Sequence, residues 1–222
     1  MELVILSIVA AVMVIFSYLA ARCEDLRKLN KTHIGQVLKP RGWKWIVFYA
    51  AVPVSMAAVL AMLHGFYGME AVPAAKRLVL VGVLWPVAVF DFREYRIPNK
   101  LALTALLFRL AVLIPEAILH GRATVDTVKT ELIAAIGAAV LCLVCMLISR
   151  GSMGMGDLKL MVVMGCFLGI EGLCYAMFMS VFAAFVISII LLITRKKGRK
   201  DAIPFAPFIL VGTIMSLILS GT

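Results

Sequence analysis

The chain has 222 residues, of which 64% are hydrophobic and only 15% charged, and its formal net charge is +10. That composition excludes an ordinary soluble domain and predicts a single membrane domain over residues 1–222. The basic residues fall in short loops between apolar runs, so the positive charge reports membrane topology, and a nucleic-acid partner is not expected.

In chain order, the first apolar run covers about Leu3 to Ala21. Its N-terminal flank is Glu2 and its basic residues follow it, the reverse of a cleavable signal peptide, so it reads as a retained first span with the N-terminus outside. A short basic loop over residues 22–44 comes next, and Trp43 and Trp45 mark return to the interface. The second span runs to about Leu63, and the third, about Lys76 to Phe90, ends on Asp91. The fourth covers about Leu101 to Leu119 with Arg109 inside it, and the fifth about Leu132 to Ser149. The sixth starts at Asp157 and is short for a crossing, which takes about 20 apolar residues. Glu171 and Gly172 are read as the turn into a seventh span, to about Thr194, and a basic hexamer precedes the eighth, Ile203 to Ser220.

The fold expected is therefore all-α, a polytopic protein of about eight transmembrane helices with both termini outside. Under that topology the cytoplasmic loops hold seventeen of the 22 basic residues, and Asp91 and Asp157 both fall at the cytoplasmic membrane surface. Cys142 and Cys145 form a C-x-x-C pair inside an apolar run, with no second pair or nearby His, and read as core packing. No metal or other cofactor is expected.

The chemistry centres on Gly154-Met155-Gly156-Asp157-Leu158-Lys159-Leu160. An ionisable residue opening an apolar run is costly and marks a functional site or a helix N-cap. Two nearby glycines allow a tight turn and close approach. A second acidic residue, Asp91, turns the balance. Two carboxylates in one site can share a proton, one acting as base on water and the other as acid on the leaving group. Asp91 would end a helix and Asp157 would begin one. Helix dipoles then predict Asp157 as the more readily ionised base and Asp91 as the acid.

Asp91, then Ile97-Pro98-Asn99, then Gly154 to Leu160, and finally Ile203-Pro204-Phe205-Ala206-Pro207-Phe208 resemble in order and rough spacing the type IV prepilin peptidase family. Those are GxGD-type aspartic proteases of prokaryotic cytoplasmic membranes. The resemblance implies an aspartic peptidase core over about residues 76–215, cleaving the leader of prepilin-like membrane protein substrates at the cytoplasmic face. Carried residue by residue, it makes Asp91 and Asp157 catalytic and Gly154 and Gly156 shapers of the catalytic turn. It sets Lys159 beside the scissile bond, although a lysine there also reads as snorkelling to the interface.

Pro98 and Pro204 disfavour helix in the residue before each, so Ile97 and Ile203 are expected to be extended near the site. With Asn99 and Phe205 they either shape a groove for an extended substrate or simply begin interfacial helices. Gly165 and Gly169 have the spacing of close helix packing. Bifunctional members of the family also methylate the new N-terminus and carry paired cysteines in the first loop. Here residues 22–44 hold one, Cys23, which argues against methyl transfer. The alternative to a protease is a cation- or proton-coupled transporter. Its carboxylates would belong near mid-bilayer, among broken helices or repeats.

Overall fold

The computed structural model describes residues 1–28, 43–148, 154–194 and 203–221, and their regular structure is helical throughout. The elements are α1 (Glu2–Lys28), α2 (Trp43–Leu60, continued by a π-helical turn Ala61–Phe66), α3 (Ala71–Glu94), α4 (Asn99–His120), α5 (Arg122–Ile148), α6 (Met155–Ile193) and α7 (Ala206–Ser220). Among the described residues five helices are long and apolar enough to cross a membrane: Glu2–Ala21, Ala71–Glu94, Asn99–His120, Arg122–Ile148 and Met155–Ile193. Two further apolar stretches, Ala50–Phe66 and Ala206–Ser220, are shorter. The protein is an all-helical, polytopic membrane protein. Large apolar side chains of α1, α4 and α5 such as Ile8, Leu107 and Leu141 point outward, which a lipid surround accommodates and water would not.

α3 lies at the centre, with α1 and α7 packed along it and α4 and α2 beside it. Pro86 lacks the N–H that would bond Gly82 O four residues earlier, and a carbonyl left unpaired in a membrane core is costly. Ser17 Oγ of α1 lies 2.7 Å from that carbonyl and 2.7 Å from Met13 O of its own helix, so its single hydroxyl hydrogen is placed to serve either one. The approach is close because residue 82 has no side chain: a Cβ there would lie 2.7 Å from Met13 Cβ.

α5 and the first arm of α6 run antiparallel. A Cβ on Gly165 would lie 2.7 Å from the Ala135 backbone, and one on Gly169 3.7 Å from Thr130 Oγ1. Gly169 then breaks the helix at φ 69°, ψ −169°, a conformation that glycine alone adopts readily. Beyond the break, Ser180 sits against Gly212 of α7, whose Cβ would fall 2.4 Å from Ser180 N. A straight α6 would carry Ser180 about 34 Å from Asp157, whereas Gly212 is only about 9 Å along α7 from Ala206. Ala206 is bonded to Asp91, and Asp157 lines the same cavity as Asp91, so both are at one end of the bundle and α6 folds back at Gly169 as a hairpin.

Several expected boundaries move. The turn into the seventh segment is at Gly169, and Glu171 and Gly172 are helical. Gly165 packs closely as its spacing predicts, but Gly169 serves the break instead. α3 begins at Ala71 and α5 at Arg122, so Lys76, expected at the very start of the third span, is a buried residue a turn inside α3. The tight turn before α5 is made by Gly121 at φ 53°. Most of the expected 22–44 loop, together with residues 149–153 and the basic stretch within 195–202, lies outside the described residues.

Candidate active site

Asp91 is in the last turn of α3 and only 6% exposed. The helix ends because Tyr95 takes a left-handed conformation, φ 52° and ψ 34°, and its N–H donates to Asp91 O at 2.9 Å. Such a conformation in a non-glycine residue is strained and persists where its surroundings enforce it. Residues 96–98 are irregular, Pro98 is extended at φ −64° and ψ 131°, and α4 starts at Asn99. The chain entering α7 is likewise irregular at 203–204.

Asp91 Oδ2 accepts the N–H of Ala206 at 2.8 Å, so the carboxyl group of α3 caps the first turn of α7. The contact also revises the helix-dipole argument. Asp91 ends α3 but faces the N-terminus of α7, and Asp157 opens α6. Both carboxyls are therefore at helix N-termini, and dipoles no longer distinguish acid from base.

Asp157 is half-buried in the first turn of α6, its N–H donating to Gly154 O at 3.1 Å. Gly154 caps the helix at φ −76° and ψ 141°, which any residue adopts, and Gly156 is helical. The glycines are thus not needed for backbone freedom. Gly156 is needed for space: a Cβ there would lie 3.1 Å from Ile97 Cβ and 3.2 Å from its Cγ1. At Gly154 a Cβ would make ordinary contact, 3.7 Å from Asp157 Oδ2.

Asp91 and Asp157 line one cavity of about 650 Å³, within electrostatic reach of each other. Ile97, Pro98, Asn99, Gly154, Gly156 and Lys159 share its wall. Lys159 Nζ donates to Asn99 Oδ1 at 2.6 Å, tying the start of α6 to the start of α4. Pro204 is buried and Phe205 packs on the core; neither lines the cavity. Their motif contributes through the next residue, Ala206, whose N–H holds Asp91.

Sequence reasoning missed Ala206, and also Glu94, Tyr95, Arg96 and Met155 of the wall. Their signal was adjacency to the two aspartate motifs. Among the described residues no group of three or more His, Cys, Asp or Glu is placed to hold a metal ion. Cys142 is buried against Met161, whereas Cys145 is exposed. The arrangement offers two carboxyl groups, one capped and buried and one half-open, at the edge of a cavity large enough for a peptide segment. That is equipment for proton transfer to and from a water and an amide.

Residues 78–193 match the Type IV leader peptidase family, a family of aspartic peptidases. The chain is 28% identical over 182 residues to the prepilin leader peptidase/N-methyltransferase of Bacillus subtilis (strain 168), covering 81% of this chain and 69% of that protein. No solved structure matches it.

Proposed function

This chain belongs to the type IV leader peptidase family, and from that premise we propose that it is a membrane-embedded aspartic endopeptidase. Its substrates are type IV prepilin-like membrane proteins, cut after the leader at the cytoplasmic face of a prokaryotic inner membrane. The convergence of Asp91 from α3 and Asp157 from α6 on one cavity carries the reading. Family membership sets the transporter alternative aside.

One aspartate takes a proton from a water as its oxygen bonds to the scissile carbonyl carbon. The other donates a proton to the amide nitrogen as the C–N bond breaks. One hydrogen of the water ends on the first aspartate and the other stays on the attacking oxygen in the new carboxyl group, so the pair finishes with its one proton on the opposite partner, and no covalent enzyme intermediate is required. The wall at Ile97, Pro98 and Asn99, outside any helix up to Pro98, is where an extended peptide would lie. The membrane domain crosses eight times, the α6 hairpin supplying two passes, with both termini outside and the basic loops inside. Methyl transfer, part of the relative's name, is not carried over, because residues 22–44 hold a single cysteine.

Co-expression with a prepilin tests the proposal. The unaltered chain is expected to shorten the substrate by its leader. Asp91→Asn and Asp157→Asn should each slow this by about 10²-fold or more, since Asn keeps the shape and cannot exchange the proton. Normal processing by either variant would remove the acid–base assignment.

A further inference from the structure

Four ionisable side chains that the reaction does not use form a buried cluster well away from the cavity. Lys76 of α3 is 6% exposed, Arg109 and Glu116 of α4 6% and 4%, and Glu131 of α5 5%. Lys76 Nζ lies 2.7 Å from Glu131 Oε1 and 3.2 Å from Glu116 Oε1. Arg109 Nη1 is 2.9 Å from Glu116 Oε2, and its Nη2 pairs with Glu131 Oε2. Arg109 Nε lies 2.8 Å from Cys166 O of α6. Cys166 is in the turn just before the break at Gly169, where a helix end leaves carbonyls in need of donors. The cluster thus joins four helices, and two of them carry the aspartates.

α3 packs mainly on α1 and α7, and α6 mainly on α5 and α7. The axial register of α3 against the first arm of α6 is therefore set largely through intermediaries. At the cavity end the intermediary is α7, through Ala206 and Asp91. Toward the other end it is this cluster. Lys76 stands about 22 Å along α3 from Asp91, and Cys166 about 13 Å along α6 from Asp157. Buried ion groups are inefficient as stabilisers, because desolvation offsets their attraction, whereas their geometry fixes register well.

We propose that Arg109 is a positioning residue. With Glu131, Glu116 and Lys76 it clamps α3 to the first arm of α6, and so sets the spacing of Asp91 and Asp157. The proposal rests on the peptidase reading above and adds to it a group that never touches substrate.

The test measures kcat and KM for prepilin cleavage by the purified full chain, per folded molecule, with thermal unfolding in parallel. Arg109→Gln leaves buried carboxylates uncompensated and is expected to lower both stability and kcat. The informative variant joins Arg109→Met with Glu131→Leu, removing one charge of each sign and leaving Lys76 paired with Glu116. An apolar pair of this kind restores stability but cannot bond Cys166 O. Its kcat is expected to stay at least about tenfold low with KM within about twofold, as for a small misplacement of reacting groups. Lys129→Ala, at the exposed Lys129–Asp126 pair of α5, should match the unaltered chain.

Recovery of kcat together with stability in the Met/Leu variant would overturn the clamp, as would an unchanged kcat in Arg109→Gln per folded molecule. Either result, with Asp91→Asn and Asp157→Asn still inactive, leaves the peptidase standing. Active Asn variants would instead remove the peptidase reading itself.

Discussion

At the scale of single residues, Gly156 and Gly154 look equivalent in the sequence and differ in what surrounds them. An alanine at 156 must push Ile97, which lines the cavity, whereas an alanine at 154 meets only ordinary contacts. Gly156→Ala is expected to slow prepilin cleavage about tenfold or more by displacing that wall or Asp157. Gly154→Ala should stay within about threefold, because an ordinary van der Waals contact needs no rearrangement. Parallel processing assays decide the point, and equal losses would contradict the steric argument. Asp91 makes the same lesson from the other side. Its position in the α3 sequence places it at a helix C-terminus, yet its carboxyl caps a helix 115 residues away. Only the fold brings Ala206 N–H to it.

Elements here are shaped as much by their interruptions as by their apolar runs. Pro86 removes one hydrogen bond from α3, and Ser17 of α1 is placed to replace it. Ser17→Ala should destabilise the protein by about 1–3 kcal/mol, the cost of a buried carbonyl left unpaired. Thermal or denaturant unfolding measures this, and Ser7→Ala, an exposed helix-facing hydroxyl, provides the comparison. Loss at Ser17 no greater than at Ser7 would mean that Gly82 O finds another donor. Gly169 is the second interruption. Its φ and ψ turn what would be one 39-residue helix into two arms, and so return the chain for α7. The sequence showed a short sixth segment and put the turn two residues late, at Glu171–Gly172, because a charged residue and a glycine look like a surface turn. Which of several glycines must adopt a forbidden conformation is decided by packing. Gly165 and Gly169 share a spacing and serve different ends.

For the molecule as a whole, the aspartates, Ile97 to Asn99 and the Gly-Met-Gly-Asp run were singled out in the sequence by their resemblance to a known family, and they line one cavity. The all-helical membrane class was legible directly, since apolar runs of that length have few other uses. The cluster of Lys76, Arg109, Glu116 and Glu131 was not legible as a unit, because its members come from three helices and meet only after packing. Arg109 within an apolar run was a visible signal, whereas Lys76 was read only as the edge of one. The proposed orientation is testable at this scale. Single cysteines replacing Lys31 and Arg122, in a background where Cys23, Cys142, Cys145, Cys166 and Cys174 are all replaced, should react with an impermeant maleimide from opposite sides of sealed vesicles. Lys31 is expected to label from the cytoplasmic side and Arg122 from the outside, as the distribution of basic residues implies. Labelling of both from one side would contradict the arrangement.

The central claim is that Asp91 and Asp157 act as one unit on one water, and a kinetic mutant cycle tests it most directly. Purified unaltered chain, Asp91→Asn, Asp157→Asn and the double variant are compared on a prepilin in detergent or vesicles. Groups that work together are lost together, so the double variant should be scarcely slower than either single one. Losses that multiply across the two sites, or a single variant cleaving at the full rate, would contradict the account.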